Sequence, residues 1–349
     1  MRARLPCCLM LDRPNSRIRN QPGIVFLRTG VSRQTETIVA IAVTALVFTV
    51  PAVFAGLEWL HCLMPLPAYY FLGVYGQKQG AIIIALAVAL AGATTFWMGT
   101  LPGLLFSLTL LPIGFILARA DRENKSAQQA GIKSVGYLVL VWLVTGWLVG
   151  MVTQTNPYLD LRQSLDKGFE ATVTLYRDSG RIPTEDLEEI KAFVSQLREQ
   201  VARLFPALLL TSIICTVWLN IVVGQWLLKR RDPARTGRED LKNWRLPELL
   251  VWPVILAGIA LLVPEERLHT LGLNAGLVLL VLYLSQGLAV VSSMMHKWSL
   301  PLAIRMITYS LLFLQIYGIG FVALLGLADV WVDFRKQRFE KDVDDTSVS

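Results

Sequence analysis

Charge is scarce in this chain: only 17% of its 349 residues are Asp, Glu, Lys or Arg, against about a quarter in an average soluble domain. A soluble core of this size needs a more polar skin, so a water-soluble globule is excluded. The residues for metal and redox chemistry are also thin. The four cysteines, Cys7, Cys8, Cys62 and Cys215, show no CxxC spacing, which argues against a disulfide framework or a zinc site. His61, His269 and His296 stand far apart with no HExxH pattern, so metal catalysis has no support. There is no Gly-rich phosphate loop, no Ser/His/Asp set and no paired membrane carboxylates, and we read the chain as non-enzymatic and without a cofactor.

What the chain has is long apolar runs. A hydrocarbon core about 30 Å thick takes roughly 20 apolar helical residues, and such runs recur from Ile38 to Leu327. The segments are Ile38–Leu57, Leu60–Tyr75 with Pro65 and Pro67, Ala81–Met98, Leu101–Ala118, Val135–Val152, Phe205–Leu228, Leu249–Val263 with Pro253, Leu271–Met295 and Ile304–Leu327. Prolines remove backbone donors and bend or break the second segment, and Leu249–Val263 is short enough to be re-entrant. The expected fold class is all-α: a polytopic transmembrane helix bundle of eight or nine segments with an extracytoplasmic helical hairpin.

The net charge of +7 fits cytoplasmic loops and anionic lipid headgroups without invoking nucleic acid. Three basic stretches should be cytoplasmic: the amino-terminal tail, the loop with Arg119, Arg122, Lys125 and Lys133, and the loop from Lys229 to Arg245. Alternating crossings satisfy all three when every segment up to Leu228 spans. The chain then divides into a basic, disordered tail over 1–37, a six-segment core over 38–228 interrupted by the hairpin at 156–203, a basic loop over 229–246, carboxy-terminal membrane helices over 247–328 and a polar tail over 329–349. The tail holds six arginines before Gly30 and no apolar h-region, so it is not a secretory signal. Translation from Val31, if that codon is GTG, is the other reading of it.

Within the polar segment, Leu161, Leu165, Phe169, Val173 and Tyr176 recur at helical spacing. After Gly180, Arg181 and Pro183, Thr184 is an N-cap with Glu185 and Asp186 in its first turn. Leu187, Ile190, Val194, Leu197, Val201 and Leu204 then form a second stripe. Two facing stripes make a hairpin, whose second helix runs on into the span at Phe205, with Pro206 kinking it there.

Candidate ligand-binding residues are Glu58 and His61, a carboxylate and an imidazole three apart, and the deep amides Asn220, Asn274 and Gln286. The bland alternatives are an interfacial pair at headgroup depth for the first two and helix-to-helix hydrogen bonds for the amides. Candidate partner-docking residues are the stripe Ala85, Ala89 and Ala93, for which internal packing is the commoner explanation, and Asp329, Asp333 and Arg335 at the end of the last span.

The stretch Asn243-Trp-Arg-Leu-Pro247, Trp252-Pro253, Leu271-Gly-Leu-Asn274, Gln286-Gly-Leu-Ala289, Gly326-Leu-Ala-Asp329 and Asp333-Phe-Arg335 together resemble the YybS-like family of uncharacterised bacterial membrane proteins, over about Arg33 to Arg335. That family is similar to the S components of energy-coupling-factor transporters and to the cell-shape protein MreD. The resemblance implies a six-helix core. In S components an Ala-x-x-x-Ala stripe on the first helix docks the energising subunit. Here the first span has Ala52 and Gly56, and the alanine stripe lies in the third. The expected function is a multi-pass protein of the bacterial inner membrane that binds a small molecule as a transporter component, or alternatively a scaffold for envelope proteins. Its partners are the lipid bilayer and other membrane proteins.

Overall fold

A computed structural model describes residues 33–54, 56–178, 184–232, 245–332 and 334. The described residues form helices and no strands. Helix α1 (Arg33–Val53) leads through a short 3-10 helix, Glu58–Leu63, into α2 (Pro65–Trp97). Then come α3 (Leu101–Leu108), α4 (Leu111–Arg122), α5 (Ala127–Thr153), α6 (Pro157–Asp178) and α7 (Thr184–Arg231). The carboxy-terminal set is α8 (Val251–Leu262), α9 (Glu266–Lys297), α10 (Leu302–Leu314) and α11 (Ile316–Val332).

Six helical stretches among the described residues are long and apolar enough to cross a bilayer. The count is seven if Leu302–Leu312 and Tyr317–Val332, which meet at 105°, make one span. The chain is therefore a multi-pass membrane protein. α1 begins at Arg33 rather than Ile38, and α11 runs to Val332, so Asp329 belongs to a helix and not to a polar tail. The tail over 1–32 and most of the basic loop lie outside the described residues.

Local chemistry explains where helices start and turn. Pro65 and Pro102 stand in first turns, where a missing N–H costs nothing. The Ser126 hydroxyl accepts from Gln129 N–H at 3.2 Å and caps α5. Within α2, Gly76 takes φ 79°, a region closed to most side chains, and the chain doubles back there. Gly80 consequently sits so close to the Phe71 and Leu72 backbone that a Cβ would lie 2.8 Å from it. At the α4–α5 turn, Glu123 accepts from Arg119 at 2.7 Å and pairs with Lys125. Those cations hold its carboxyl down to about 2, so one negative charge persists in this basic turn at neutral pH.

Two hydrophobic cores follow. The larger joins α1–α5 to the second half of α7 around Phe48, Tyr69, Ile113, Leu138 and Ile221. The smaller joins α8, α9 and α11 around Leu246, Leu279, Tyr283 and Ala323. The hairpin of α6 and α7 projects from the first, its seam made of half-buried Leu165, Phe169, Val173, Ile190 and Val194. Arg198 Nε donates to Asp166 across it at 2.7 Å. As expected from the sequence, α7 is one 48-residue helix that contains Pro206.

The tightest packing is between α9 and α11. A Cβ on Gly287 would fall 1.9 Å from the Val322 carbonyl oxygen, and one on Gly326 would fall 2.1 Å from that of Tyr283. Small residues permit such close approach where lipid offers helices no hydrophobic drive to associate. Gly287→Ala is expected to cost about 1–3 kcal/mol through overpacking, read as a lower midpoint of thermal unfolding in detergent. Gly276→Ala on the same helix, where a Cβ meets nothing within 4 Å, should be neutral or stabilising by up to about 1 kcal/mol.

Candidate functional site

Between Leu57 and Met64 the chain leaves the α-helix for a part-exposed 3-10 turn, and three contacts lay it and the following residues along α7. Asn220 Nδ2 donates to the Cys62 carbonyl at 2.7 Å, Gly224 lies under the Tyr69 ring, and the Arg231 guanidinium lies 6.0 Å from the Tyr75 ring centre. At about 1.5 Å per residue, Asn220 is roughly 22 Å along α7 from Phe205 and roughly 13 Å from Lys229. His61 and Cys62 are therefore beside the middle of an apolar span. The contact with Asn220 sets Cys62 alongside the apolar run of α7, while Glu58 and Trp59, about a turn earlier, are exposed.

The chemistry at this break is specific. His61 Nδ1 is 2.6 Å from the Glu58 carbonyl; a carbonyl only accepts, so Nδ1 carries the proton and Nε2 is the lone-pair nitrogen. That Nε2 is buried with no partner. Asn220, 0% exposed, uses its amide nitrogen on the Cys62 and Thr216 carbonyls, both at 2.7 Å. Its Oδ1 is left buried and unpaired. Two acceptors thus await donors, and buried groups in that state are costly unless something satisfies them. The His61 ring meets Phe106 edge-on at 6.2 Å, and Phe106 meets Trp142 at 5.7 Å. Trp142 Nε1 donates to Thr109 Oγ1 at 3.3 Å, where α3 gives way to α4. Two helix breaks and an aromatic pair therefore surround His61, with Glu58 exposed above it.

The other predicted residues lie elsewhere. Asn274 serves α7: its Nδ2 donates to the Arg203 carbonyl and its Oδ1 accepts from Ala207 N–H, each at 3.0 Å. An uninterrupted helix pairs those two backbone groups with each other. Asn274 thus bridges the ladder beside Pro206, whose missing N–H weakens it. The Arg203 side chain adds ion pairs to Glu199 at 2.7 Å and Glu266 at 3.3 Å, the latter in the first turn of α9.

Gln286 accepts from Leu246 N–H and donates to Asp329 Oδ2, both at 3.1 Å. Asp329 is 1% exposed, which corrects its assignment to a docking surface: it is held inside between α9 and α11. Asp333 and Arg335 lie outside the described residues. Ala85, Ala89 and Ala93 are exposed, while Ala87 and Ala91 of the same helix are wholly buried. Internal packing therefore uses the neighbouring face and not the predicted stripe. Phe106, Trp142 and Arg203 were missed as site residues, because aromatics in spans and a lone arginine before one carry no pattern of their own.

Asn274→Ala should cost about 1–3 kcal/mol, the penalty for backbone groups left without partners. Pro206→Ala restores a backbone donor, so Asn274→Ala should cost less in that background. A double-mutant cycle of detergent melting reads the difference, and strictly additive costs would contradict the bridge.

No curated protein and no solved structure matches the chain. The sequence model of a family described as "Predicted membrane protein (DUF2232)" matches residues 34–330. With that match spanning both cores and the hairpin, the chain belongs to the DUF2232 family of predicted membrane proteins.

Proposed function

We propose that this protein binds a small molecule rich in hydrogen-bond donors at the break beside His61 and Asn220, as a solute-binding or transporter component of the S-component type. The observation that carries this is two buried acceptors without donors, His61 Nε2 and the Oδ1 of Asn220, whose nitrogen holds the carbonyl of Cys62, the residue after His61. Non-helical backbone at membrane depth is tolerated where it is buried in protein or lines a water-filled cavity, and transporters build their sites from such broken helices. An amine, amide or hydroxyl satisfies both acceptors, with Glu58 favouring a cation at the mouth. The motif likeness to YybS-like proteins, a family similar to S components, supports the same reading, and with it a bacterial inner membrane.

The topology we propose has eight crossings. The two turns of chain at either end of α8 support a crossing there: Leu246 bonds to Gln286, low on α9, and Glu266 reaches Arg203 at the hairpin end of α7. The bent α10–α11 pair is then re-entrant, the basic loops and carboxy terminus are cytoplasmic, and the hairpin is extracytoplasmic.

A second reading, an MreD-like scaffold for envelope proteins, is favoured by the outer face of the hairpin, where Leu175 and Phe193 are 72% and 65% exposed. Deleting Asp160 to Arg198 separates the two. Loss of co-purifying proteins with the small molecule retained supports the scaffold.

The direct test is mass spectrometry of compounds retained by the full chain in mild detergent, beside His61→Phe and Asn220→Leu. The wild type should carry a donor-bearing compound whose occupancy falls about tenfold or more in each variant, the value of one hydrogen bond of about 1.4 kcal/mol. His61→Phe keeps the ring packing against Phe106 but also removes the Nδ1–H bond to the Glu58 carbonyl, so its detergent melting midpoint, read beside retention, separates loss of Nε2 from loss of folding. Unchanged retention in His61→Phe, or nothing retained by the wild type, would overturn the proposal.

A further inference from the structure

A pocket of about 410 Å³ opens at the base of the hairpin, lined by Arg162, Asp166, Ser195, Arg198, Glu199, Ala202 and Arg203. Its size falls within the range of small-molecule sites, roughly 300–1,000 Å³. Three guanidinium groups face two carboxylates there. Arg198 is held by Asp166, and Arg203 by Glu199 and Glu266. Each of those arginines has five N–H donors, and the ion pairs engage Nε of one and a terminal nitrogen of the other. Arg162 makes no ion pair among the described residues, so its guanidinium is the one whose donors stay open to an outside anion. Ser195 spends its hydroxyl proton on the Ala192 carbonyl.

We infer that this pocket binds a phosphate group, with Arg162 as its principal ligand and Arg198 and Arg203 as pre-positioned supports. Planar guanidinium groups match phosphate oxygens bidentately, and two are already fixed in place by their carboxylate partners. Depth adds to the case. Arg203 stands immediately before the apolar run from Phe205 to Leu228, which sets the pocket at the level of lipid phosphates when α7 spans. The phosphate belongs either to a lipid headgroup or to a free solute. This site is separate from the break at His61, and its failure leaves that proposal standing.

The test uses the full chain in detergent micelles, with inorganic phosphate and a short-chain phosphatidylglycerol as alternative probes and chloride at matched ionic strength as control. The thermal midpoint should rise saturably with one of the probes and not with chloride. A response to inorganic phosphate identifies a free phosphate site, and a response to phosphatidylglycerol alone identifies a headgroup site. Arg162→Gln should weaken the apparent affinity about tenfold, the equivalent of about 1.4 kcal/mol for a lost charge-assisted bond. Arg177→Gln, at the far end of α6, should leave it unchanged. No response to either probe, an equal response to chloride, or wild-type affinity in Arg162→Gln would overturn the inference.

Discussion

In hydrocarbon every backbone N–H and C=O needs a partner within the protein, and the architecture turns on how that demand is met where helices break. At Pro206 the missing N–H would leave part of α7 open, and the Asn274 amide closes it by touching both Arg203 C=O and Ala207 N–H. The same side chain thereby fixes α9 against α7. α9 belongs to the smaller core and α7 to the larger one, so a local repair of one helix also joins the two halves of the molecule. The ion pairs from Arg203 to Glu199 and Glu266 reinforce the joint but are part-exposed, and exposed pairs contribute about 0–1 kcal/mol. Of the two, the amide carries the joint.

Amides recur at this task with different results. Gln286 uses both ends of its side chain, on Leu246 N–H and the Asp329 carboxylate, and so closes the smaller core. Asn220 uses only its nitrogen. The contrast separates a structural amide from a functional candidate more sharply than burial does, since Gln286 and Asn220 are both fully buried. A satisfied amide is explained by the fold. An unsatisfied one beside an unsatisfied imidazole is not.

Much of the fold was legible because hydropathy and periodicity are local properties. The apolar runs, the facing stripes of the hairpin, the passage of α7 through Pro206 and the break before Pro65 all follow from residues near one another in the chain. What could not be read was which side chains from distant segments meet. Asn274 and Arg203 are one contact in space but far apart in sequence. Asp329 reads as the polar end of a helix until Gln286 is seen to cover it. The alanine stripe makes a related point: in a span both faces are apolar, so spacing alone cannot tell the packed face of Ala87 and Ala91 from the exposed face of Ala85, Ala89 and Ala93, and it is the internal-packing reading of that stripe that falls.

Along α7 these features fall in order. The hairpin base with Arg203 comes first, then the Pro206 bridge, then Asn220 at the break, then the basic end at Arg231. A rigid helix carries displacement from one end to the other, but a helix with a missing hydrogen bond bends where the bond is missing. Pro206 is the place where α7 is open to a bend, and the gap in its ladder is held by a side chain whose two hydrogen bonds are individually weak; in membranes such bonds average about 0.6 kcal/mol. Arg203 contributes its side chain to the pocket above that gap and its carbonyl to the bridge at it.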